Sequence, residues 1–297
     1  MSNVNLSINS TIKLNDGNEI PRLGFGVYEM SGSEAYESVM VALEQGYRLI
    51  DTAAWYGNER ECSKAVLDFC SNTGTPRSSI FYTTKLQSNK GSIATKRAIE
   101  ASLKKCAGLG YIDLYLVHSP LGGPQKRKES WESILEAKEA GNIRSVGVSN
   151  YGVDHLTEMI ASGYELPVVN QVDLHPFMTR DAIVELCRES NIALQAWAPL
   201  VRGERFQHPT ILELAHHHSK TPAQILIRYS LQSGFIPLPK STHRDRIIAN
   251  KDVFDFELSD EEMKRLHALD ECTSLLPSAI WRAPSLMRLS SIHLFQI

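Results

Sequence analysis

The chain has 297 residues, 42% apolar and 22% charged, with a formal net charge of −3. That length builds one large α/β barrel or two medium domains, and the composition is that of a soluble globule. The near-neutral charge gives no electrostatic case for nucleic acid or an anionic membrane as main partner, and no apolar run approaches the roughly 20 residues that span a bilayer.

In chain order, the first five residues, Met1 to Asn5, show neither the basic stretch nor the apolar core of a secretory signal. Residues 12–14 and 19–20 flank Asn15-Asp16-Gly17-Asn18 and predict a hairpin on a glycine turn. Residues 23–27 predict a first strand. Ser31-x-x-Glu34 is a capping box opening a helix over 35–45, which Gly46 stops. The rhythm then repeats. Strands are predicted at 48–51, 80–85, 112–118, 145–149, 168–172, 193–197 and 235–238. Helices fall near 59–69, 93–106, 131–140, 154–161, 180–190 and 222–232. Thr221, Pro222 and Gln224 give the last of these its cap, its first-turn proline and its completed box. Ser259-x-x-Glu262 caps one more helix over 261–269, and periodicity weakens after Cys272.

With residues 23–27 the strands number eight, each followed by a helix. Asp113-Leu114-Tyr115-Leu116-Val117 is an apolar run of the kind buried on both faces. The pattern predicts a (β/α)8 TIM barrel with an N-terminal β-hairpin, and a C-terminal tail, 272–297, over the barrel mouth. A doubly wound sheet would carry a Gly-rich fingerprint after its first strand; Gly24-Phe25-Gly26 lacks the third glycine. No linker divides the chain, so residues 1–297 read as one domain. The five cysteines (Cys62, Cys70, Cys106, Cys187 and Cys272) are odd in number and widely spaced, which fits reduced thiols in a cytoplasmic protein.

In such a barrel, chemistry sits at the C-terminal ends of the strands. Four ionisable residues fall there: Asp51 after strand 2, Tyr56 in its loop, Lys85 ending strand 3 and His118 ending strand 4. Each has a plainer alternative: a helix-capping aspartate, a space-filling tyrosine, a solvated rim lysine, a hydrogen-bonded structural histidine. Together they make chemical sense, because consecutive strand ends converge on one mouth. A phenol of pKa about 10 is a poor acid at neutral pH. A neighbouring ammonium favours the phenolate and lowers that pKa, a carboxylate holds the ammonium, and a neutral imidazole orients a carbonyl oxygen. That set suits protonation of an alkoxide as hydride reaches carbon.

The motifs Asp51-Thr52-Ala53 to Tyr56-Gly57-Asn58-Glu59, Thr84-Lys85-Leu86, Tyr111 to His118, Gly147-Val148-Ser149-Asn150, Asn170-Gln171 to His175-Pro176 and Pro239-Lys240-Ser241 recur in the order and spacing of a known family. Over roughly residues 10–270 the chain resembles the aldo-keto reductases. The resemblance implies an Asp51/Tyr56/Lys85/His118 tetrad, with Tyr56 as proton donor and NADPH as hydride donor to an aldehyde or ketone. It implies that Ser149, Asn150 and Gln171 grip the nicotinamide carboxamide and that Trp197 stacks on its ring. Leu200 and Arg202 then fall over the pyrophosphate, Lys240, Ser241, Thr242 and Arg246 around the adenosine 2′-phosphate, and Asn250 at the adenine. Val27, Tyr28, Trp55 and His118 are expected at the substrate, joined by Trp281 of the tail. A monomer with no nucleic-acid or membrane partner is the family default.

Some positions depart from the family pattern. Ala249 stands where many members carry Glu or Gln, Ala198 replaces a frequent serine, and the loop at 119–126 is short. Two alternatives stay open: a cofactor-binding regulatory barrel, and a barrel hydrolase or isomerase without nicotinamide. His216-His217-His218 could suggest a metal, but adjacent helical residues point apart, so no metal site is expected.

Overall fold

The computed structural model describes residues 6–272. The tail expected over the mouth, with Trp281, lies outside the described residues. The expected hairpin is there: β1 (Thr11–Lys13) pairs antiparallel with β2 (Glu19–Pro21), Ile12 facing Ile20. Gly17 turns it at φ 88°. From this turn Asn18 Nδ2 donates to Ser145 Oγ at 3.0 Å, and Ser145 Oγ donates to Asp16 at 2.7 Å. The hairpin is thereby tied to the strand that carries Ser145.

Eight strands form one parallel sheet in chain order: β3 (Phe25–Gly26), β4 (Leu49–Asp51), β5 (Phe81–Leu86), β6 (Ile112–Val117), β7 (Ile143–Ser149), β8 (Val169–Asp173), β9 (Ala193–Trp197) and β10 (Ile236–Leu238). The first and last are sewn together. Gly24 N–H donates to the Pro237 carbonyl at 3.0 Å and Gly26 N–H to the Pro239 carbonyl at 3.1 Å. A Cβ on Gly24 would stand 2.5 Å from Leu238 Cδ2, so the seam needs glycine there. The result is the expected (β/α)8 barrel.

Strand alternation decides what faces inward. Leu49, Phe81, Leu114 and Leu116 fill the barrel interior with Val169, Ile236 and Leu238. The alternate residues Ile50, Tyr82 and Tyr115 pack outward on the helices. Period two therefore puts Asp51, Lys85 and His118 on the same inner face as Leu49, Phe81 and Leu116, nearer the mouth: Asp51 and His118 by one layer, Lys85 by two, with Thr83 between.

The helices are α1 (Gly32–Glu44), α2 (Glu59–Thr73), α3 (Ser92–Lys105), α4 (Pro124–Glu139), α5 (Val153–Ala161), α6 (Asp181–Glu189), α7 (Pro209–His217), α8 (Pro222–Gln232), α9 (Arg244–Lys251) and α10 (Asp260–His267). Three differ from expectation. The helix expected from residue 131 starts at Pro124, whose fixed φ suits a first turn; the charges at 126–129 hid its apolar face. Neither α7 nor α9 was expected. α7 buries Ile211, Leu214 and Ala215, while α9 buries only Ile247 and Asn250 and so shows little pattern. Among the described residues no helix is long and apolar enough to cross a membrane.

α7 also corrects one argument. The histidines expected to point apart do not all do so. His217 Nδ1 and His218 Nε2 both reach Glu262 Oε1, at 3.0 and 2.9 Å.

Candidate active site

Asp51 ends β4, and a single helical turn over Ala54–Tyr56, stopped by Gly57 at φ 72°, swings Tyr56 back over the strand end. The loop is fixed from beneath by Asn58. Thr52 Oγ1 donates to Asn58 Oδ1 at 2.6 Å, and Asn58 Nδ2 donates to the carbonyls of Val27 and Met30 at 3.0 and 3.1 Å. Lys85, fully buried on β5, donates to Asp51 Oδ1 at 2.6 Å, to the Thr52 carbonyl at 2.8 Å and to the Tyr56 hydroxyl at 3.3 Å. An ammonium has three protons, and here each has a partner. The His118 ring meets Tyr56 edge-on, ring centres 5.7 Å apart. Four residues from three strand ends thus form one cluster.

The electrostatics differ from expectation at the phenol. Burial dominates at Tyr56 and raises its pKa well above 10, and the Asp51 charge raises it further. Lys85 does not bring it below the ordinary value. Burial likewise lowers the Lys85 pKa, against the Asp51 carboxylate, which raises it. Burial first, then the Lys85 charge, brings His118 down to about 3. At neutral pH the cluster therefore holds a protonated phenol and a neutral imidazole, beside the buried Lys85–Asp51 pair.

A cleft of about 870 Å³ opens beside it, lined by Asp51, Tyr56 and His118 at one end. Ser149, Asn150, Gln171 and Trp197 follow on its wall, and each is already held. Ser149 Oγ donates to the Gln171 carbonyl at 2.8 Å. Asn150, at φ 62°, donates to the His118 carbonyl at 3.0 Å and accepts the Trp197 indole N–H at 3.0 Å, which sets the plane of that ring. Gln171 Nε2 donates to Asp51 Oδ2 at 2.8 Å and to Gln195 Oε1 at 3.0 Å. Both amide protons are spent, so Gln171 presents its oxygen.

Gln195, buried on β9, was not anticipated as a site residue. Its position two residues before Trp197, on the same face of the strand, was the available signal. Asn58 was visible within a motif but carried no assigned role.

Leu200 and Arg202 lie further along the cleft. Ala198, Val201 and Arg202 all adopt left-handed backbone, at φ 48°, 51° and 50°. For a β-branched residue such as Val201 this is a strained conformation, of the kind that collects at ligand-binding loops. Phe206 and Thr221 to Ala223 also line this stretch and were not expected. The far end is lined by Lys240, Ser241, Arg246 and Asn250. Neither Lys240 nor Arg246 has an ion-pair partner among the described residues.

Two expected positions fall elsewhere. Val27 is fully buried in the core with Leu23 and Phe25, its carbonyl taken by Asn58. Strand alternation turns it away from the cleft. Thr242 is half-buried but is not part of the lining. Tyr28 and Trp55 do flank the mouth. Their rings stack 5.8 Å apart, and Trp55 is 38% exposed.

The sequence model of the Aldo/keto reductase family matches residues 22–271. An uncharacterized oxidoreductase of Schizosaccharomyces pombe is 46% identical over 265 residues, covering 89% of this chain and 95% of that protein. The crystal structure of an aldo/keto reductase from Brucella melitensis superposes with a TM-score of 0.84 at 40% identity, over 89% of this chain and 99% of that one. A Bombyx mori aldo-keto reductase, solved in complex with NADP, superposes with a TM-score of 0.86 at 33% identity, over 94% and 99% of the two chains.

Proposed function

Because this chain belongs to the aldo/keto reductase family, we propose that it reduces aldehydes or ketones to alcohols with NADPH, Tyr56 acting as general acid. The observation that carries this reading is the Lys85 ammonium, with its protons shared among Asp51, the Thr52 carbonyl and the Tyr56 hydroxyl. The residues along the cleft fit a nicotinamide dinucleotide. They offer the free Gln171 oxygen for a carboxamide, the fixed Trp197 plane for a ring and two cations without carboxylate partners for a phosphate. The cations favour NADPH over NADH, and the relative solved with NADP is consistent with that.

Bound NADPH supplies the hydride. The neutral His118 imidazole orients the carbonyl oxygen. Tyr56, kept protonated by its burial, gives that oxygen its proton as negative charge develops there. The phenolate left behind is stabilised by the Lys85 ammonium, which Asp51 holds in place. Tyr28, Trp55 and Trp197 offer aromatic walls to the substrate. The five free thiols suit a cytoplasmic protein, the near-neutral charge a small-molecule substrate rather than nucleic acid or membrane, and family membership a monomer.

The test is a panel of aromatic and aliphatic carbonyls followed at the NADPH absorbance, in both directions. With the best substrate, Tyr56→Phe lowers kcat by about 100- to 10,000-fold, the span of general acid catalysis, with NADPH affinity retained. Turnover by Tyr56→Phe at the wild-type rate removes Tyr56 from this role.

A further inference from the structure

α7 ends at His217, His218 keeps right-handed backbone at φ −87° and ψ 0°, and the chain turns at Ser219, φ 53°. At this helix end two neighbouring imidazoles reach one oxygen, Oε1 of Glu262, in the first turn of α10. The three donor atoms lie within 4.8 Å of one another. Glu262 cannot swing away. Its other oxygen accepts the Ser259 backbone N–H at 2.7 Å and the Ser259 hydroxyl at 3.0 Å. The His218 ring is braced against Phe256, ring centres 5.2 Å apart. The His217 side chain is 70% exposed and leaves a path from solvent. Arg265, on the same helix as Glu262, is engaged by Glu213 through both of its terminal nitrogens.

Two imidazole nitrogens and one carboxylate oxygen are a ligand set for a borderline divalent cation. Tetrahedral zinc with bonds of about 2.0 to 2.2 Å sets neighbouring donor atoms about 3.3 Å apart. The nitrogen–oxygen separations here, 3.0 and 2.9 Å, need an outward shift of a few tenths of an ångström, and the two nitrogens, within 4.8 Å of each other, approach by rotation of the exposed His217 ring. Ser259 plays the part of the outer group that orients a metal-binding carboxylate. We propose that His217, His218 and Glu262 form a Zn2+ site that clamps the end of α7 to the start of α10, with water completing the coordination. The site is separate from the four-residue cluster. His216, exposed on α7, takes no part. Mg2+ and Ca2+, which prefer all-oxygen shells, are not its ions.

The experiment titrates untagged, full-length protein with zinc chloride, and separately with magnesium chloride, by calorimetry. One Zn2+ per chain binds and Mg2+ does not. His217→Ala, His218→Ala and Glu262→Gln each weaken zinc at least tenfold, while His216→Ala leaves it unchanged. Glu262→Gln retains an oxygen for Ser259, so the α10 cap persists, and metal-free melts show that each variant is folded. Added zinc raises the melting temperature of the wild type but not that of His218→Ala. Absence of zinc binding, or equal binding by the His217→Ala/His218→Ala double variant, overturns the assignment.

Discussion

The two ends of the cleft are built on opposite plans. At the barrel mouth, Asp51, Tyr56, Lys85, Gln171 and Gln195 are joined by hydrogen bonds of 2.6 to 3.3 Å, and the ion pair at their centre is almost wholly out of water. At the far end Lys240 and Arg246 are exposed and carry no ion pair among the described residues. One end is organised before anything binds. The other leaves its two charges in water. A developing charge on a reacting atom is best met by groups that need not move, whereas a phosphate brings its own charge and can order flexible cations around itself.

The largest difference should appear on removing the buried cation. Lys85→Met strands Asp51, and we expect urea unfolding to show a loss of about 3 to 5 kcal/mol, with activity abolished. Pairing it with Asp51→Leu should restore most of the stability and none of the activity. If Lys85→Met melts like the wild type, the mouth is not the rigid end.

The next effect is on pH. The native state holds His118 neutral down to about pH 3, while the unfolded chain protonates it near 6.5. The unfolded state therefore binds the extra proton between those values, and stability falls as pH drops from 6.5 toward 3. Urea midpoints across that range should show the decline in the wild type and a shallower one in His118→Gln.

At the far end, Lys240→Ala with Arg246→Ala should reduce the preference for NADPH over NADH by about 10- to 100-fold, the worth of one or two charge-assisted contacts. Stability should move by no more than about 0.5 kcal/mol, as for other exposed substitutions. Coenzyme titrations by fluorescence quenching decide it, and equal weakening of both coenzymes would refute the phosphate assignment.

The smallest effect tests the link behind the wall. Gln195→Leu removes one acceptor from the Gln171 amide, which is worth about 1 kcal/mol or fivefold in KM for NADPH. The melting temperature should hardly change, because Gln195 Nε2 has no partner among the described residues and its loss relieves a buried orphan. A large drop in stability with unchanged KM would make Gln195 purely structural.

Much of the mouth was legible because it rests on two local signals, residue type and strand end. Asp51, Lys85 and His118 each close an apolar run whose alternation already says which face is inner. Tyr56 follows in a loop stopped by Gly57. What hid was direction and distance. Val27 ends a strand as Asp51 does, but its side chain turns to the opposite face. Gln195 looks like any strand residue until Gln171 of the neighbouring strand is seen to give it a proton. His217 and His218 meet Glu262 because they sit at a helix end, and because the chain returns 44 residues later. No local pattern records either event.

The glycine seam carries a consequence for how the molecule is made. Gly26 gives its backbone proton to Pro239, the residue just before Lys240 and Ser241. The loop that carries Lys240 and Ser241 is stitched to the opening strand, though more than two hundred residues separate them in the chain. During synthesis the early strands can assemble as they emerge, but the ring stays open until β10 has left the ribosome. Circular variants cut elsewhere would shift that last stitch, and with it the moment at which the two ends of the cleft first face each other.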